Sequence, residues 1–81
     1  MGWDIQINPT AEALHISFEL VEVLDRFVED FEMRYCGLEP RDEAIAALRR
    51  VRPQGVEEQQ AIDRILAELE RGAAVELLIG H

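Results

Sequence analysis

Glu12 and His15 stand three residues apart, with Ala13 and Leu14 between them. On a helix this spacing puts a carboxylate and an imidazole on one face, the half-site used by di-iron carboxylate bundles. Such sites need a second motif of the same kind and more carboxylates from other helices. This chain has one E-x-x-H, and a strand over residues 13–18 would lose even that geometry. Cys36 is the single cysteine. A nucleophilic thiol needs a lowered pKa, from a helix N-terminus or a cationic neighbour. The pattern instead places Cys36 at a helix C-terminus, where the dipole opposes a thiolate. Its candidate bases are His15 and the terminal His81. Ser17, His15 and an acid make a triad on paper, but no G-x-S-x-G elbow surrounds the serine. Ser17 reads better as the cap of a helix starting near 18. Five scattered glycines form no phosphate loop. No acid–base pair, nucleophile or ligand set emerges, so the expectation is a protein that is not an enzyme and uses no metal or cofactor.

What remains is charge. Seventeen acidic residues face eight basic ones, all eight are arginine, and the net charge is −9. Two arginines stand against nine acids over residues 1–40, four against two over 41–52, and two against six over 53–81. Glu22, Asp25, Glu29 and Glu32 fall on one helical face and form the candidate partner-binding stripe. Such a stripe attracts a basic protein and speeds its association. The plain alternative is a solvated face held by i, i+4 pairs, Glu22 with Arg26 and Asp30 with Arg34. Arg41, Arg49, Arg50 and Arg52 form the opposite patch. They could meet the acids of a second copy or hold a phosphate or carboxylate. They also suit the end of a helix, where cations complement the dipole.

The acidity argues against direct nucleic-acid binding and against an anionic membrane surface. No apolar run reaches the length of a membrane span, and the start, Met1-Gly2-Trp3-Asp4, lacks the basic and apolar regions of a signal peptide. One cysteine makes no internal disulfide, so a cytoplasmic location is expected. Hydrophobic residues make up 48% of the chain. That excludes general disorder and exceeds what one thin core easily hides.

The elements follow from periodicity. Trp3, Ile5 and Ile7 alternate with Asp4 and Gln6, and Leu14, Ile16 and Phe18 alternate with Ala13, His15 and Ser17. These predict a β-hairpin over 3–7 and 13–18, with Asn8-Pro9-Thr10 at the turn. The competing reading is one long helix from Pro9 to 36. Leu20, Val21, Leu24, Phe27, Val28, Phe31 and Tyr35 recur at helical spacing and predict a helix over 19–36, closed by Gly37 and Leu38. A second helix is expected over 40–51, with Ile45, Leu48 and Val51 inward. A third is expected over 56–71, with Ile62, Ile65, Leu66 and Leu69 inward and Gly72 at its end. Val75, Leu77 and Ile79 alternate and predict a last strand.

The fold class is therefore α+β: one small domain over 1–81 with an N-terminal hairpin, three helices and a C-terminal strand. A small all-α bundle is the alternative. An exposed edge strand would pair across a two-fold axis, so a homodimer is expected with Trp3, Ile5 and Ile79 at its interface. The size and acidity are like those of small immunity, antitoxin and phage inhibitor proteins, a likeness of class that no motif carries. The function expected is a non-enzymatic protein-interaction domain that inhibits or neutralises a basic partner. The alternative is an accessory subunit that binds a larger complex through apolar surface.

Overall fold

Alternation puts Ile5 and Ile7 inside and leaves Asp4 in water along strand β1, Trp3–Ile7. The computed structural model describes residues 2–8, 12–27, 34–36, 38–72 and 75–80, the stretch 34–36 by its backbone only. Strand β2, Leu14–Ile16, runs antiparallel to β1 with Trp3 opposite Ile16 and Ile5 opposite Leu14. The hairpin thus prevails over the single long helix, though its second strand is shorter than the alternation implied. Asn8 ends β1 with φ 49°, a left-handed conformation that asparagine tolerates. Its backbone N–H donates to the Glu76 carbonyl at 2.7 Å, and its side-chain oxygen accepts from the Glu76 N–H at 3.0 Å.

Helix α1, Phe18–Asp25, starts where Ser17 Oγ accepts the Leu20 N–H at 3.4 Å. It buries Leu20, Val21 and Leu24. It does not continue to residue 36 as its spacing predicts. Arg34–Cys36 form strand β3, so Cys36 sits in a sheet and not at a helix end. Helical spacing alone could not see that the last strand of the chain offers a second edge, which 34–36 pairs. Backbone pairing in the folded state overrides a propensity of a few tenths of a kcal/mol per residue. Val28, Glu29, Phe31, Glu32 and Gly37 lie outside the described residues, while Leu38 is buried.

Helix α2, Arg41–Arg50, follows Pro40 and buries Ala44 and Leu48. Ile45 and Val51, expected on its inner stripe, pack at the margin of the core. Helix α3, Val56–Glu70, follows Gly55 and buries Ala61, Ile62, Ile65 and Leu69. Gly72 stops the chain after it with φ 78°, its N–H donating to the Leu69 carbonyl at 3.0 Å. Strand β4, Glu76–Gly80, then enters between β1 and β3, giving an antiparallel sheet of order β2-β1-β4-β3.

The result is the expected α+β class, with one more short strand than the alternation disclosed. Ile5, Ile7, Leu14, Ile16, Leu77 and Ile79 turn inward from the sheet to meet Leu20, Leu24, Leu48, Ile62, Ile65 and Leu69 from the helices. Two layers around one core are the usual solution at this size. No helix among the described residues is long and apolar enough to cross a membrane.

Candidate functional site

The outer face of α1 carries Glu22 and Asp25. Both are exposed, because Leu20, Val21 and Leu24 take the inner face. The other two members of the expected stripe, Glu29 and Glu32, lie outside the described residues. Arg26 stands four residues after Glu22, yet no ion pair joins them among the described residues. The i, i+4 bridge that would neutralise this face locally is not made. The Asp30–Arg34 bridge falls outside what is described.

The arginine cluster of the sequence divides in space. Arg41 and Arg49 border the cleft between α2 and α3, where Arg49 Nη2 donates to Glu70 Oε1 at 2.6 Å. Arg50 and Arg52 point elsewhere. With Arg26 they border a groove of about 430 Å³ between α1 and α2, floored by Val23, Ala47 and Val51 and rimmed by Glu19. Arg26 was not visible as a member of this cluster. Only the packing of α1 on α2 brings it there.

Glu58 is the functional-looking residue that reading the sequence missed. It is 2% exposed, in a position where charged groups are normally paired. Its Oε1 accepts the Ser17 N–H at 2.6 Å and its Oε2 accepts the Gln54 N–H at 2.7 Å. Burial pushes its carboxyl pKa up. The hydrogen bonds from the Ser17 side chain, the Ser17 N–H and the Gln54 N–H outweigh burial and hold it below the ordinary glutamate value. Both carboxylate oxygens accept backbone N–H groups, so the side chain ties the start of α1 to the start of α3. The signal was available: Glu58 stands three positions after Gly55, where a capping-box acid reaches back to its own helix start. Its neighbour Glu57 accepts the outward N–H of His15 on β2 at 3.4 Å. The two carboxylates thus take one N–H of β2 and the next one outward, at the cap of α1.

Trp3, Ile5 and Ile79 do not form one surface. Ile5 is fully enclosed and Ile79 nearly so within this chain's own core, and Trp3 packs at its margin. The Trp3 ring lies 6.1 Å from the Phe18 ring, tilted by 35°. Phe18, which the alternation placed in the second strand, is 55% exposed, and Val56 at the start of α3 is 75% exposed.

The remaining chemical candidates separate. Glu12 holds Arg64 at 3.1 Å, while His15 Nδ1 lies 3.3 Å from Asp4 Oδ1 with its ring against Gly2. Ser17 Oγ is committed to capping α1. No group of three His, Cys, Asp or Glu side chains gathers among the described residues. The side chain of Cys36, and His81, lie outside them. No family model, no curated protein and no solved structure matches this chain.

Proposed function

We propose that this chain is a non-catalytic interaction domain whose acidic α1 face occupies the surface of a basic protein. Inhibition of a toxin, a nuclease or another nucleic-acid-binding effector is the form that fits best. The observation that carries this reading is the state of Glu22 and Asp25. Both carboxylates are exposed, and neither is engaged by a cation of the chain among the described residues. Unpaired surface charge on a molecule of net charge −9 steers a positive partner and sets the on-rate.

The test is the triple reversal Glu22→Lys, Asp25→Lys, Glu29→Lys, assayed with the partner recovered from host lysate at low salt. Circular dichroism should be unchanged, because Glu22 and Asp25 contribute nothing to the core. Partner binding should be lost, and binding by the native chain should weaken as salt rises. Undiminished binding by the reversed chain would reject the acidic face. A second reading, an accessory subunit held through apolar surface, draws on the exposure of Phe18 and Val56. It predicts salt-resistant binding that Phe18→Ala abolishes.

A further inference from the structure

We propose that the groove between α1 and α2 docks an acidic segment of a partner protein, one that carries carboxylates on either side of an aliphatic side chain. The arginines of this chain differ in what they hold. Arg49, Arg64 and Arg71 each hold a carboxylate, at 2.6, 3.1 and 2.8 Å. Arg26, Arg50 and Arg52 hold none among the described residues, and neither does Arg41 at the other cleft, in a chain with more than twice as many acids as arginines. Arg26, Arg50 and Arg52 border one concavity of about 430 Å³. They set three positive charges against the one carboxylate of the lining, Glu19, and guanidinium groups favour the planar carboxylate fork.

The floor decides the kind of anion. Val23, Ala47 and Val51 are half-buried; Val23 and Val51 pack on the core from beneath, and all three line the groove from below. A bare inorganic anion would use the arginines and leave this floor wet. A peptide with an apolar anchor covers it, as groove-binding segments do. Glu19 at the rim points the same way, because it repels a compact polyanion more than carboxylates spaced along a chain. Glu22 and Asp25 are not part of the lining, so the groove and the acidic face stand or fall separately.

The probe is a fluorescein-labelled Glu-Glu-Leu-Leu-Glu-Glu peptide, titrated with the full chain at low ionic strength and followed by anisotropy. Binding is expected with Kd below about 1 mM. The variant Arg26→Gln, Arg50→Gln, Arg52→Gln should bind about tenfold more weakly, from three exposed pairs lost, with an unchanged circular dichroism spectrum. Replacing the leucines of the probe by serine should weaken it as well. Four results would overturn the proposal. The peptide fails to bind the native chain below about 1 mM, or it binds the triple variant equally. The serine peptide and inorganic tripolyphosphate bind as tightly as the leucine peptide, which would make this a simple anion site. The native chain sediments as a dimer that the triple variant does not form, which would assign the groove to a second copy.

Discussion

At the residue scale, the carboxylate of Glu58 serves two backbone segments at once, accepting from Ser17 and from Gln54. Replacement by glutamine keeps the shape but puts an amide donor where an acceptor is needed and removes the charge from both bonds. Glu58→Gln should therefore cost about 2–3 kcal/mol at pH 7, measured by urea denaturation. Its folded pKa lies below the ordinary value. Such a group adds stability fully above the unfolded value of about 4.3, and the contribution is lost as pH falls through the folded value. The gap between the native chain and Glu58→Gln should thus narrow steadily below pH of about 4. A constant gap down to acid unfolding would mean that charge is not what Glu58 supplies. His15 and Asp4 also touch, at 3.3 Å, but both are exposed, and exposed pairs contribute little.

At the element scale, the start of α3 depends on backbone freedom as well as on Glu58. Gly55 has φ 138° and ψ 170°, a region closed to residues with a Cβ. A Cβ there would meet nothing within 4 Å, so the penalty for Gly55→Ala is conformational alone. It should lower stability by about 1–3 kcal/mol, readable as a fall in Tm without any change in the helix content of the folded state. If Gly55→Ala melts like the native chain, the local backbone relaxes at no cost and the strain argument fails. The same short loop delivers Glu57 and Glu58 to the β2 edge. The start of α3 thus takes up N–H groups of His15 on β2 and of Ser17 at the cap of α1. The end of α1 shows the converse. Arg26 and Phe27 close on carbonyls three residues back, at 3.3 and 3.1 Å, and the chain leaves helical geometry to supply a strand.

At the scale of the whole molecule, β4 is the central piece, paired on both sides by segments that precede it in the chain. Leu77 on it is fully enclosed, opposite Ile7 on one side and Tyr35 on the other. Leu77→Ala should cost about 2–5 kcal/mol, a lowering of Tm by at least 8 °C at this size. A shift of under 4 °C would show that the sheet closes without β4 at its centre. Local periods are legible in the chain alone. Alternation at Ile5 and Ile7 and helical spacing at Ile62, Ile65 and Leu69 name the core faces, because a strand repeats every two residues and a helix every 3.6. The chain alone also names the ends, through Ser17 and Gly72, because caps and left-handed turns are decided by neighbours in the chain. Tertiary structure decided what depends on distant partners. Residues 34–36 are a strand because β4 passes beside them, whatever their helical spacing suggests. Arg26 stands with Arg50 and Arg52 because α1 packs on α2, and Glu58 is buried because two helix starts converge on it. No local pattern encodes these meetings, since each is fixed by the burial of a shared core and not by the residues adjacent in sequence.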